Sequence, residues 1–202
     1  MKFIKESHKH GDFILSQEKY VTQYHEIEEV ISSISDSDII SRHREKYPQT
    51  MSLSHAINDL LRERFIGKGW MKEAPIFQDK DYQGQKWRLD FAKDAVSVEV
   101  AFNHGEAIAW NLLKPALASE QNNVLKAIET EVGVIISATK ELKEAGAFDS
   151  AVGEFEKFCR YLRPLSTILR GPLLIIGLSA PESFKVVKKK VDGGHVGEIV
   201  ML

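Results

Sequence analysis

Two acids, nine positions apart, carry the spacing in this sequence that best suits chemistry. Asp90 stands in Trp87-Arg88-Leu89-Asp90-Phe91, and Glu99 in the strictly alternating Val96-Ser97-Val98-Glu99-Val100-Ala101-Phe102. A period of two marks a strand, and Lys93-Asp94 between the stretches marks a turn, so the segment reads as a β-hairpin. Pairing through that turn brings the two carboxylates within reach of one cation. Two hard oxygen ligands with open positions suit Mg²⁺, which keeps several waters and binds substrate phosphate. Such a cation lowers the pKa of a bound water, or stabilises charge on a phosphodiester and its leaving oxygen. Spacing alone equally allows two acids on the solvent face of a half-exposed hairpin, the commoner use of such residues.

The flanking elements must position this hairpin. Gln17 to Ser35 is an amphipathic helix, with Tyr20, Tyr24, Ile27, Val30/Ile31 and Ile34 on one stripe. Ser35 to Thr50 is polar, ends in Tyr47-Pro48-Gln49-Thr50 and reads as a loop. A second helix starts near Ser52 or Ser54, either a suitable N-cap, and stops at Gly67-Lys68-Gly69. Glu106 to Ile128 returns to a helical period, which Pro115 should kink or divide. Val132-Gly133-Val134-Ile135-Ile136 and Leu173-Leu174-Ile175-Ile176-Gly177-Leu178 are continuous apolar runs, the pattern of strands buried on both faces. Between them, Ala151 to Leu162 is helical. The order predicts an α/β protein with a central mixed sheet flanked by helices. No linker or repeat divides the chain, so residues 1–202 are expected to form one domain with an N-terminal helical segment.

Composition removes several function classes. The chain has 202 residues, with 27 Lys+Arg against 29 Asp+Glu and a net charge of -2. There is thus no globally basic footprint. Hydrophobic residues at 43% and charged residues at 28% exclude an intrinsically disordered chain. No apolar run reaches the ~18 residues of a membrane span. Cys159 is the single cysteine, which rules out an internal disulfide and a cysteine zinc site. The opening Met1-Lys2-Phe3-Ile4-Lys5-Glu6 has no apolar signal core, so a reduced, non-secreted setting is expected. There is no phosphate-cradling G-x-x-x-x-G-K-[ST] loop. His8 and His10, two apart near the terminus, make only a weak metal clip.

The stretch from Leu89-Asp90-Phe91 through Lys93-Asp94 to Val98-Glu99-Val100 resembles the restriction endonucleases of the BglII and BstYI type. Ser52 to Trp70, Lys140-Glu141-Leu142-Lys143 and Gly171 to Leu178 extend the likeness, which covers roughly Ser16 to Pro181. It implies a PD-(D/E)XK core with Asp90 and Glu99 as Mg²⁺ ligands. It also implies that Asn58 is an active-site residue projecting from the preceding helix, although capping or solvating that helix serves Asn58 as well. The activity implied is cleavage of double-stranded DNA by a homodimer in the prokaryotic cytoplasm. The target would be a GATC-centred palindrome cut to leave a four-base 5′ overhang. The first helix, or the helix after the hairpin, would supply the dimer contact.

At the position two after Glu99, the wider nuclease class has Lys and the relatives most like this chain have Gln, which orients the attacking water. Here it is Ala101, whose methyl group neither donates nor accepts a hydrogen bond. Three explanations follow: a knock-out substitution, a polar group supplied from another position, or a non-cleaving DNA-binding protein on the same scaffold. The intact pattern around Ala101 favours the first.

Asn103-His104-Gly105-Glu106 lies where the relatives approach the major groove. Asn103 can pair with adenine, and His104 can donate to guanine. A second reading loop falls at Phe148-Asp149-Ser150-Ala151, where Asp149 or Ser150 would equally serve as a helix N-cap. Local basic patches at Arg42/Arg44/Lys46, Arg62/Arg64 and Lys185/Lys188/Lys189/Lys190 are candidates for phosphate contact, or plain solvated faces.

Overall fold

The alternating hairpin sets the frame, because each of its strands must bury one face against helices that lie elsewhere in the chain. In a computed structural model, which describes residues 1–82, 84–120, 124–192 and 194–202, the chain opens with a strand, β1 (Phe3–His8). Four helices follow: α1 (Gly11–Leu15), α2 (Val21–Ser32), α3 (Asp36–Lys46) and α4 (Ser54–Gly67). Next come β2 (Met71–Pro75), β3 (Arg88–Lys93), β4 (Val96–Val100) and helix α5 (Ile108–Ser119). Strand β5 (Val132–Ala138) leads to α6 (Lys140–Ala145), α7 (Phe155–Leu165) and β6 (Leu173–Leu178). A hairpin of β7 (Phe184–Val191) and β8 (Gly194–Met201) ends the chain.

Six strands form one mixed sheet in the order β1-β6-β5-β4-β3-β2. β4, β5 and β6 are parallel, while β1, β3 and β2 join antiparallel. All residues of β4, β5 and β6 are buried, as expected for parallel strands with helices over both faces. Val96, Val98, Val134 and Ile136 join the core beneath α2, α3 and α4. Ile135 and Ile175 face the opposite core, with Ala101, Leu112, Phe155 and Phe158. The period of two therefore sends Ser97, Glu99 and Ala101 toward α5.

The expected α/β class, hairpin and buried strands are present, and the helix expected over Ala151 to Leu162 runs instead from Phe155 to Leu165. The polar stretch Ser35 to Thr50 is not a loop. Ser35 and Asp38 form a reciprocal capping box that starts α3. Its charges are spent on α4: Arg42 pairs with Asp59 (2.5 Å) and Glu63 (2.6 Å), and Arg64 with Asp38 (2.8 Å). With only Ile39 and His43 buried, its apolar stripe is too sparse to register as a helix. The helix expected over Glu106 to Ile128 is shorter, ending at Ser119, and Pro115 sits within it without dividing it; residues 121–123 lie outside the described ones. The helix expected near Ser52 or Ser54 has Leu53 at its N-cap, with no side-chain bond. Strands β1, β2, β7 and β8 and the short α1 were not legible. β1 is an edge strand with a mostly exposed polar run, identifiable only by its pairing with β6. The β7–β8 hairpin forms its own two-stranded sheet.

Candidate active site

Asp90 and Glu99 meet because the hairpin turns at Asp94-Ala95, one residue later than the expected Lys93-Asp94, since Lys93 still pairs with Val96 as the last residue of β3. Asp94 takes a left-handed φ of 50° there. The pairs Lys93↔Val96, Ala92↔Ser97 and Phe91↔Val98 place Asp90 opposite Glu99 at the next rung. There the backbone ladder stops and the carboxylates replace it. The Asp90 N–H donates to Glu99 Oε1 (3.2 Å), and the Val100 N–H donates to Asp90 Oδ2 (2.8 Å). Each acid is thus oriented by the other strand's backbone.

The solvent-face alternative fails on burial. Glu99 is 2% exposed. Burial, then the Asp90 charge, pushes its carboxyl up to about 8, against the pull of Lys114. Asp90 is raised as well, chiefly by burial, with Lys114 and the Val100 N–H opposing. Two desolvated acids side by side disfavour each other's ionisation, and a cation between them relieves that cost.

Other elements complete the site. Asn58, Arg62, Lys72, Glu73, Asp90 and Phe91 line a cavity of about 70 Å³. Asn58 and Arg62 are one helical turn apart on α4, so both project the same way. The structure thus unites the predicted Asn58 with Asp90, and Asn58 is not at a helix cap. Glu73 lies opposite Asp90 in the β2–β3 register. It has a left-handed φ of 48°, and its largely exposed carboxylate is 3.9 Å from Arg88. Among the described residues no group of three His, Cys, Asp or Glu could hold a metal. The Asp90 and Glu99 carboxylates are a donor pair of the kind that would suit a hard, partly hydrated divalent ion.

Sequence reasoning missed Lys114. Its ammonium forms an ion pair with Glu99 Oε2 and donates to the Arg88 carbonyl oxygen (3.2 Å). Lys114 is 8% exposed on α5, and a buried lysine needs a partner. The only advance signal was a cation in an otherwise apolar helix face. Ala101 is itself buried against that helix, and its N–H donates to the Ile136 carbonyl (2.7 Å).

The two candidate reading loops are brought together. Gly105 N–H donates to the Ala151 carbonyl (2.6 Å), Gly153 N–H donates to that of Asn103 (3.0 Å), and His104 bridges to Val152. Asn103, His104, Asp149 and Ser150 all stay exposed. Asp149 does not cap α7, which begins after Glu154. Its Oδ1 instead accepts the Ala151 N–H (2.8 Å), tightening the loop. Of the basic patches, Arg42 and Lys46 pair with Asp59, and Arg64 with Asp38. Lys189 pairs with Glu198 (2.5 Å), while Lys185, Lys188 and Lys190 make no ion pair among the described residues. His8, proposed with His10 as a weak clip, bonds through Nε2 to the Leu169 carbonyl oxygen (3.0 Å).

A family model described as "Restriction endonuclease BglII/BglIII" matches residues 3–178. The fold is similar to that of restriction endonuclease BglII complexed with a DNA 16-mer, with a TM-score of 0.70 and 18% identity over 100% of both chains. It is also similar to free BglII, with a TM-score of 0.61, 18% identity and the same coverage. No curated protein matches the sequence.

Proposed function

The chain belongs to the BglII/BglIII restriction endonuclease family of type II site-specific deoxyribonucleases, and we propose that it cuts both strands of a short palindrome using Mg²⁺ at Asp90 and Glu99. The family works with divalent metal ions on DNA. The observation that carries the reading is the desolvated cross-strand pair of acids beside a cavity lined by Asn58, Arg62 and Lys72. Anionic donors adjoining cationic groups suit a metal ion and a phosphodiester held side by side.

A divalent ion there would supply a bound water of lowered pKa and neutralise charge on the phosphoryl group. Asp90 and Glu99 would hold the ion, each carboxylate being oriented by a backbone N–H of the opposite strand. Arg62 and Lys72 offer positive charge to the phosphate, and the Asn58 amide can donate to a phosphate oxygen or the attacking water. Asn103 and His104, with Asp149 and Ser150 on the paired loop, form one exposed edge for reading bases. A homodimer fits a palindrome because each protomer then meets the same half-site. We infer a GATC-centred target with a four-base 5′ overhang, one domain over residues 1–202, and a prokaryotic cytoplasmic setting. No described helix is long and apolar enough to cross a membrane.

The test is digestion, with Mg²⁺, of plasmid DNA rich in GATC-centred palindromes. Discrete fragments from the parent, absent with Asp90→Ala and Glu99→Ala, support the reading. Specific binding without cleavage would support the non-cutting alternative raised by Ala101. Cleavage surviving in Asp90→Ala would place the chemistry elsewhere.

A further inference from the structure

Position 101 carries no hydrogen-bond donor, and Ala101 is packed under α5. Ala101 directly follows β4, and its N–H still donates to the Ile136 carbonyl of β5, so in extended chain it lies about 7 Å beyond Glu99 on the α5 side. Lys114 reaches Glu99 from that same side. It is joined to both strands of the hairpin, to β4 through the Glu99 carboxylate and to β3 through the Arg88 carbonyl.

We propose that Lys114, carried on α5, supplies the cationic hydrogen-bond donor that strand position 101 lacks, orienting the attacking water beside Glu99 and facing the scissile phosphate. The inference rests on the nuclease reading of Asp90 and Glu99. The ammonium acts as a donor and a charge, so Lys114 is a positioning residue.

The backbone around Lys114 is built to hold it there. Pro115 follows it directly and packs against β5: a Cβ on Gly133 would come within 2.4 Å of the Pro115 Cβ and 2.6 Å of Leu173 Cδ2. The absent side chain at Gly133 thus lets α5 approach the sheet closely, with Pro115 as the contact. Leu112 and Ala116, on either side, are buried in the same core as Ala101. A lysine has no apolar reason to be 8% exposed here, and its burial costs desolvation that the acid and the carbonyl offset. A surface-facing lysine at this turn would have met neither.

Cleavage should be compared for the full-length parent, Lys114→Ala, Lys114→Arg and Asp90→Ala, with thermal unfolding, DNA binding in Ca²⁺ and calorimetric Ca²⁺ binding measured alongside. Lys114→Ala should lower kcat by roughly 10²-fold with KM and DNA affinity changed only a few-fold, and Lys114→Arg should recover part of the loss. Ca²⁺ binding should persist or tighten in Lys114→Ala, because a competing cation on Glu99 has gone. The double variant Lys114→Ala/Ala101→Lys, where it folds, should regain activity by restoring the donor from the strand.

A Lys114→Ala protein that cuts as fast as the parent, while Asp90→Ala is dead, overturns the inference and leaves the nuclease reading standing. Faster cleavage overturns it too, making the ammonium a plug on the site. Loss of Ca²⁺ binding or of the folded state in Lys114→Ala, with no recovery in Lys114→Arg, reduces Lys114 to a structural partner of Glu99. A parent that binds DNA without cutting overturns both readings together.

Discussion

The buried acid pair should make the metal-free protein less stable as pH rises, and Glu99→Gln should remove that dependence. Burial and the neighbouring Asp90 charge raise the Glu99 carboxyl from 4.5 to about 8. Between those values the folded chain keeps a proton that the unfolded chain has released. Stability follows the difference in bound protons, so it falls as pH climbs through this window and is fully retained below it. At about 1.36 kcal/mol per unit, the whole window is worth roughly 5 kcal/mol, with about 2 kcal/mol lost between pH 6.5 and 8. Asp90, also raised, adds in the same direction. Other titrations run the opposite way at acid pH. The carboxylates of Asp38, Asp59 and Glu154 are held below their usual range by cationic and backbone partners that outweigh burial. Burial depresses His43. The comparison that isolates Glu99 is therefore the difference between parent and variant. Urea unfolding with a chelator present, from pH 5 to 9, would show the two curves diverging with rising pH, the variant becoming relatively more stable. Added Mg²⁺ should reverse the trend for the parent, since binding needs the deprotonated acids. Parallel curves across the range would refute the desolvated pair.

Gly133→Ala should destabilise the fold by about 1–3 kcal/mol through overpacking against Pro115 and Leu173. Because α5 must move outward with Lys114, cleavage should fall further than the change in urea midpoint accounts for. Asp36 Oδ2 accepts the Glu182 N–H (3.1 Å), the Ser183 N–H (2.9 Å) and the Ser183 hydroxyl (2.6 Å), tying α3 to the start of the terminal hairpin. Asp36→Ala should cost about 2 kcal/mol by thermal unfolding, and faster amide exchange in 184–201 should accompany it. His104→Ala should leave the fold within about 0.5 kcal/mol and relax the choice of cleavage site, measured by sequencing fragment ends. An unchanged site spectrum would remove His104 from base reading.

How much was legible follows from the range over which each cause acts. The hairpin, its turn and the opposition of Asp90 and Glu99 are local: period-two alternation and a short polar turn determine which residues share a rung and a face. The buried strands β5 and β6 and the stripe of α2 were equally plain, because apolar periodicity repeats within a few residues. α3 was not, since its polar surface is satisfied by Asp59, Glu63 and Arg64 on a helix that no local window contains. β1 has Phe3 and Ile4 at its start but no apolar alternation to announce it, and exists through its bonds to β6.

The same division runs through the active site. Residue types and spacing determined that two acids could serve one cation. Only the tertiary structure decided that they are desolvated, because burial depends on what packs over them and not on their neighbours in the chain. It also decided that Asn58 and Arg62 turn toward Asp90, and that the loops at 103–105 and 151–153 join into one edge. The deficit at Ala101 could be read from the sequence. The cation that meets it comes from a helix 13 residues further on, brought over the right face by the packing of Pro115 on Gly133, and contacts of that kind leave no periodic trace along a chain.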